Sequence, residues 1–225
     1  NNIKAKFSQL DAHYQGIFVT DNKGFVYTGV LEGGAEYKGQ NVAESEFFRR
    51  AKDSGQAVLS DMTRSQATGQ PIVTACAPIK SANGQFLGIV GTVIKAEFFA
   101  NLISGRKIGQ TGYGYMLSKK GETLAHPNAE HILNLDITVI KEMDSINKQM
   151  LAGKHGVEEY SFRGTDKVAG FAPVGINGWS VAATPDADEF TAASVSIRNW
   201  NLLVSVIAAA VAFVLVLLTS RSIVK

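Results

Sequence analysis

The chain has 225 residues, with 22 Lys and Arg against 20 Asp and Glu, for a net charge of +2. This near-balance, with no basic stretch interleaved with aromatics, argues against a nucleic-acid surface. Cys76 is the only cysteine, so there is no disulfide framework and no CxxC metal or redox pair, and the thiol reads as a small buried side chain.

The first residues, IKAKFSQL, read as the end of a helix whose upstream part is missing. Gly16–Thr20 and Phe25–Gly29 are predicted strands joined by Asp21-Asn22-Lys23-Gly24, where glycine supplies the positive φ of the turn. Glu44–Ser54 reads as a short helix with Phe47, Phe48 and Ala51 on one face and Gly55 as its stop. A polar crossing, 60–66, leads to a second hairpin, Pro71–Ile79 with Gln85–Val93, and Ala96–Ile103 reads as a helix. Tyr113–Leu117 and Glu122–Ala125 then pair across Gly121. Thr138–Ala152 is predicted as the longest soluble helix, with Ile140, Met143, Ile146 and Met150 at helical spacing and Gly153 as its end. Val157–Phe162, Val168–Pro173 and Trp179–Ala183 are predicted antiparallel strands, and Glu189–Arg198 continues as a helix.

The two halves repeat one another. IFVTDNKGFVYT at 17–28 has its counterpart in YMLSKKGETLA at 115–125, and Ala77-Pro78-Ile79 before Asn83-Gly84 recurs as Ala172-Pro173-Val174 before Asn177-Gly178. Gly24 to Pro78 is 54 positions and Gly121 to Pro173 is 52, which points to a duplicated α+β module. After it, Leu202–Leu218 carries no charge. As a helix, Trp200–Thr219 is about 30 Å long, the thickness of a bilayer core. Arg221 and Lys225 beyond it favour a cytoplasmic end, although Arg198 on the other flank weakens that bias.

Catalytic chemistry finds little support. His13, His126, His131 and His155 show no metal spacing, and His126-Pro127 reads as a strand-terminating turn. Gly112-Tyr113-Gly114 lacks the spacing of a nucleotide loop, and there is no GxSxG elbow. A pocket over the first sheet is the better candidate, walled by the crossing Ser60-Asp61-Met62-Thr63-Arg64-Ser65-Gln66. Arg64 could hold an anion there in two-pronged geometry, while Arg49 and Arg50 read as a solvated helix face.

The hairpins VTDNKG and LSKKGETLAHP, the FFRRA helix, TGQPIVTACAPI, FLGIVGTVI, GQTGYGYML, FAPVGINGWSVAATPDADEF and the exit SRSIVK together resemble the double-Cache (dCache) sensor domain of bacterial methyl-accepting chemotaxis proteins over essentially the whole chain. The exit is similar to the start of a HAMP linker. The resemblance implies two tandem PAS-like modules with antiparallel sheets, an N-terminal helix, and a C-terminal transmembrane helix. It places the membrane-distal module at 1–104, the membrane-proximal module at 105–192, the lead-in and membrane span at 193–219 and the linker start at 220–225.

The resemblance further implies a periplasmic sensor on the inner membrane, a homodimer, a small-molecule ligand in the distal module, and neither a cofactor nor a metal. The family's amino-acid-binding branch carries R-x-W-Y on the distal helix and an aspartate closing the last distal strand. Here those places hold Ser45-Glu46-Phe47-Phe48 and Val93. An α-carboxylate and an α-ammonium would both lack partners, at a cost of several kcal/mol, so amino-acid sensing through that signature is not expected. The residues expected at the ligand are Ser45, Phe47, Phe48, Asp61, Met62, Arg64, Thr74 and Val93. The expected function is a chemoreceptor sensor that converts binding into helix movement. The same sensor on a histidine kinase or diguanylate cyclase, a membrane-anchored enzyme, and a structural tether are the alternatives.

Overall fold

A computed structural model describes residues 2–105, 107–192 and 200–208. A short helix α1 (Asn2–Phe7) precedes two antiparallel sheets, each with a helix over one face. The first sheet comprises β1 (Tyr14–Thr20), β2 (Val26–Leu31), β3 (Val58–Leu59), β4 (Thr63–Arg64), β5 (Pro71–Lys80) and β6 (Phe86–Lys95), in the order β2-β1-β6-β5-β3, with β4 also paired to β5. The second comprises β7 (Tyr113–Leu117), β8 (Thr123–Ala125), β9 (Gly156–Phe162), β10 (Thr165–Pro173) and β11 (Ser180–Thr184), in the order β8-β7-β11-β10-β9. The two orders are the same when β1, β2, β3, β5 and β6 are matched to β7, β8, β9, β10 and β11. Pro78 on β5 lies opposite Ile89, and Pro173 on β10 lies opposite Ser180, the equivalent strand pair.

The repeat extends to the turns. Asp21 Oδ1 accepts from the Lys23 and Phe25 N–H groups, both at 2.9 Å, and Gly24 closes the turn at φ +83. Ser118 Oγ accepts from Lys120 and Glu122 at 3.1 and 3.2 Å, and Gly121 closes at φ +90. A short polar side chain that satisfies the turn's own N–H groups, followed three residues later by a glycine able to hold positive φ, is what this local geometry requires.

Helix α2 (Glu46–Ser54) starts at Ser45 and stops where Gly55 turns left-handed, its N–H returning to Ala51 O at 3.0 Å. Phe48 and Ala51 are buried against the first sheet, in a core with Phe18, Val26, Cys76 and Ile89. The second sheet buries Met143, Ile146 and Met150 with Tyr115, Leu117 and Phe171.

The expected long helix at 138–152 is a correction. Only α4 (Asp144–Leu151) is α-helical, preceded by 3₁₀ turns at Ile137–Val139 and Lys141–Met143. Ile140 between them is extended (φ −91, ψ 101). Asp136 caps the first turn through the Thr138 N–H at 2.8 Å, and the Asn147 side chain takes the Ile137 carbonyl at 2.7 Å, a bond that continuous helix would reserve for backbone. The apolar stripe still faces the core, because turns of 3₁₀ helix nearly preserve helical spacing.

Helix α3 (Ala96–Ser104) joins the halves. A third core lies between them, where Met62, Val73 and Ala96 meet Met116, Leu124, Ala125, Ile132 and Trp179. After β11, residues 187–192 are helical, and 200–208 form helix as well. Among the described residues no helix is long and apolar enough to cross a membrane. Most of the span expected at 200–219, and the HAMP-like start at 220–225, lie outside the described residues.

Candidate functional site

The first sheet carries a cavity of about 300 Å³, the lower end of the size of small-molecule sites. Its floor is sheet: Gln15 and Phe18 of β1, Thr74 of β5 and Val93 of β6. One wall is the start of α2 with the stretch before it, contributing Tyr37, Asn41, Ser45 and Phe47. The opposite wall is the hairpin that β4 begins, contributing Thr63, Arg64, Ser65 and Gln66. The apolar part is aromatic. Phe18 meets Tyr37 edge-on at 5.8 Å between centroids and Phe47 at 6.2 Å. Burial pushes the Tyr37 hydroxyl above its usual pKa, so it is a neutral phenol.

Five of the eight residues expected from the sequence line this space: Ser45, Phe47, Arg64, Thr74 and Val93. Three do not. Phe48 points to the other side of α2, where its ring packs edge-on against Phe86 at 5.8 Å. Successive helical residues differ by about 100°, so neighbouring phenylalanines cannot share one wall. Met62 is buried in the core between the two sheets, and Asp61 faces the second half, where it accepts from the Trp179 indole N–H at 3.3 Å. The 60–66 crossing therefore has two faces, with Asp61 and Met62 on one and Thr63 to Gln66 on the other.

Sequence reasoning missed Gln15 and Tyr37. Gln15 sits in a strand and is buried, its amide Nε2 donating to Thr68 Oγ1 at 3.0 Å while Oε1 has no partner among the described residues. A polar residue breaking the apolar alternation at a buried strand position was the available signal. Tyr37 lies in a segment with no periodicity.

The charges on the rim differ in their pairing. Glu46 faces Arg50 at 3.5 Å. Arg64 has no acidic partner among the described residues. It donates to two neutral acceptors, Gly69 O at 3.3 Å and Asn134 Oδ1 of the second half at 2.8 Å.

Arg50, read from sequence as part of a solvated face, is exposed and also joins the halves. Its guanidinium reaches Asn177 Oδ1 at 3.3 Å and Leu59 O at 3.3 Å. Arg49 does stay outside, paired with Glu44 at 3.1 Å.

The second sheet offers far less room, about 20 Å³ among Tyr113, Tyr115, His126 and their neighbours. His126 meets Tyr113 edge-on at 5.1 Å and lies 4.5 Å from the His131 ring. Burial, then the nearby His131, push the His126 pKa down to about 4, so the imidazole is neutral near pH 7. Its Nδ1 accepts from the Asn128 N–H at 2.9 Å, the satisfied turn read from His126-Pro127. Among the described residues no group of three or more His, Cys, Asp or Glu is placed to hold a metal ion.

The chain matches the double-Cache family model (dCache_1, Cache domain) over residues 1–194. The chain belongs to the Cache domain family. It is 25% identical over 226 residues to the methyl-accepting chemotaxis protein McpA of Bacillus subtilis, a match that covers 98% of this chain and 32% of that protein. With PctB of Pseudomonas aeruginosa, also a methyl-accepting chemotaxis protein, it shares 24% identity over 174 residues, 76% of this chain and 26% of PctB. The chain thus spans about a third or less of the length of these curated relatives. Among solved structures, the extracellular domain of mmHK1S-Z3, described as a histidine kinase, is similar at TM-score 0.72 and 18% identity, covering 88% of this chain and 81% of that one. The PctB ligand-binding domain in complex with L-Arg is similar at TM-score 0.61 and 18% identity, covering 82% and 79%.

Proposed function

We propose that this Cache chain is the extracytoplasmic ligand-binding part of a transmembrane chemoreceptor, and that it does no catalysis of its own. The observation that carries the reading is the formed cavity over the first sheet of a Cache-family chain whose relatives include methyl-accepting chemotaxis proteins. In this reading 1–104 is the membrane-distal module, which binds a small molecule, and 105–192 is the membrane-proximal module, which relays. Residues 193–219 lead into and cross the inner membrane, 220–225 begin the cytoplasmic linker, and the receptor works as a homodimer.

The solved PctB domain holds L-Arg. In this chain a zwitterion would meet Ser45, Phe47 and Val93 where the amino-acid signature has its anchors, and Glu46 is already paired with Arg50. A different ligand class is therefore proposed.

The proximal module's contact with the exit helix suits a relay. Glu189 accepts from the Gln110 N–H at 2.5 Å, from the Thr111 N–H at 2.8 Å and from the Thr111 hydroxyl. These bonds pull its carboxyl below the usual pKa. Lys167 holds Asp186 at 2.5 Å one turn earlier. The helix is thus clipped to the proximal sheet, and a ligand shifts its position by as much as it prefers one arrangement of the module over the other.

The test is a receptor swap. The residues of this chain replace the sensor of a chemoreceptor in cells lacking other receptors, and swimming responses to a small-molecule library are scored. A response lost on Ser45→Trp supports the reading, and no response from a folded, membrane-inserted chimera contradicts it. A second reading, the same sensor on a histidine kinase, is favoured by the similarity to mmHK1S-Z3. The residues that follow Lys225 in the full-length receptor separate the two.

A further inference from the structure

We infer that the distal cavity takes a small organic anion, a carboxylate without an accompanying ammonium, and that Arg64 is both its anchor and its reporter. This inference rests on the distal cavity being the ligand site. Every formal charge on the cavity wall is accounted for by Glu46 and Arg64, the remaining lining side chains being neutral. Glu46 is neutralised by Arg50, leaving the Arg64 guanidinium as the cavity's uncompensated charge among the described residues.

Its present partners are weak competitors. Gly69 O and Asn134 Oδ1 are uncharged, and hydrogen bonds to a carboxylate are roughly twice as strong as those to neutral acceptors. A guanidinium also meets a carboxylate with two parallel N–H groups, which neither neutral acceptor can match. The hydroxyls of Ser45, Thr63 and Thr74 can donate to the same anion, and Phe18, Tyr37 and Phe47 can cover its carbon skeleton. An α-ammonium finds no free carboxylate there, which is why the class excludes zwitterions.

The second consequence follows from where Asn134 sits. It belongs to the other half, and its neighbours Leu133 and Leu135 are bonded to Thr123 of β8, at 2.8 and 3.1 Å. An anion that draws Arg64 inward breaks the 2.8 Å bond to Asn134 and so removes one tie between the first half and the segment held on β8. Binding and inter-module contact then compete for one side chain, a coupling that is reciprocal by thermodynamic necessity.

The reciprocity gives the test. The full chain in mild detergent is titrated with acetate, pyruvate, succinate and benzoate, and with their uncharged counterparts acetamide, pyruvamide, succinamide and benzamide. At least one carboxylate should bind while its amide does not. Arg64→Gln should weaken that binding about ten-fold or more. Asn134→Ala, which removes the competitor without touching the cavity, should tighten it about three- to ten-fold.

Arg64 and Asn134 are both exposed, so folded variants are expected, and their circular dichroism melts check it. Amides binding as well as carboxylates, or a carboxylate indifferent to Arg64→Gln, overturns the inference. If that binding is still lost on Ser45→Trp, the cavity stands as the site. If it is lost instead on His126→Ala, the site reading fails as well. No binding by any carboxylate in the panel also overturns the inference.

Discussion

Trp179 donates its indole N–H to Asp61 Oδ1 at 3.3 Å, joining the residue that leads into β11 of the second sheet to the segment whose other face walls the cavity of the first. Trp179 is 1% exposed, in the core that Met62 and Val73 share with Met116 and Leu124. Trp179→Ala should therefore cost about 3–5 kcal/mol, the range for a large aromatic removed from a packed core. Trp179→Phe should cost clearly less, since it keeps most of the ring and gives up one hydrogen bond. Urea unfolding of the two variants checks the ordering, and equal costs would mean that packing between the halves contributes nothing.

Asn177 should prove a second tie between the halves. Its amide donates to Leu59 O and Ser60 O, both at 3.0 Å, its carbonyl accepts from Arg50, and its backbone is left-handed at φ 51. Asn177→Gly loses the bonds but suits that backbone, whereas Asn177→Ala loses both. The alanine variant should be less stable than the glycine variant by about 1 kcal/mol, the cost of placing a side chain in that region. Thermal melts of the pair decide.

Two turn glycines should separate strain from collision. Gly24 (φ +83) and Gly84 (φ +84) close hairpins of the same sheet with the same backbone. A Cβ on Gly84 would meet nothing within 4 Å, whereas on Gly24 it would lie 2.6 Å from Ala43 N. Gly84→Ala should cost about 1–2 kcal/mol for the conformation alone, and Gly24→Ala measurably more. Equal melting shifts would count against the packing of 41–43 on the first hairpin.

The duplication was legible because repeated turn chemistry marks it, whereas the order of strands within each sheet came from the structure. Asp21 with Gly24, and Ser118 with Gly121, set equal hairpins at equal places, and the proline landmarks fell on equivalent strands. The 138–152 segment misled because its apolar spacing survives in 3₁₀ turns, and the bond from Asn147 to Ile137 O that divides it depends on tertiary contact. The cavity was legible as a region and only partly as residues. Phe47 and Phe48 differ by about 100° around α2, and Asp61 and Met62 differ from Thr63 and Arg64 by the face of the crossing, neither of which residue type reveals. The role of Arg50 was hidden because its partner, Asn177, lies 127 positions away.

Acid should destabilise the fold through the partly buried histidines of the second half. The folded chain holds His126 at a pKa of about 4, below the ordinary histidine value of 6.5, so the unfolded chain binds more protons between those values. Stability should fall as the pH drops from about 6.5 and level off below about 4, as far as His126 alone is concerned. His131 is depressed in the same direction by burial and by Arg163. In His126→Gln the slope of melting temperature against pH over that window should be shallower. An unchanged slope would show that His126 does not titrate on unfolding.

The orientation proposed for the chain is open to direct labelling. With Cys76 replaced by alanine, a single cysteine at residue 13 should react in intact cells with an impermeant maleimide, and one at residue 225 should not. The reverse pattern would invert the topology.

The central claim is that the cavity over the first sheet is where ligand binds. Its most direct test is a thermal-shift screen of the full chain against a small-molecule library, each hit retested on Ser45→Trp and on His126→Ala. Ser45 stands at the cavity wall and His126 at the cramped second sheet. Stabilisation should vanish in Ser45→Trp and persist in His126→Ala. Hits that persist in Ser45→Trp and vanish in His126→Ala would place the ligand on the second sheet and contradict the account.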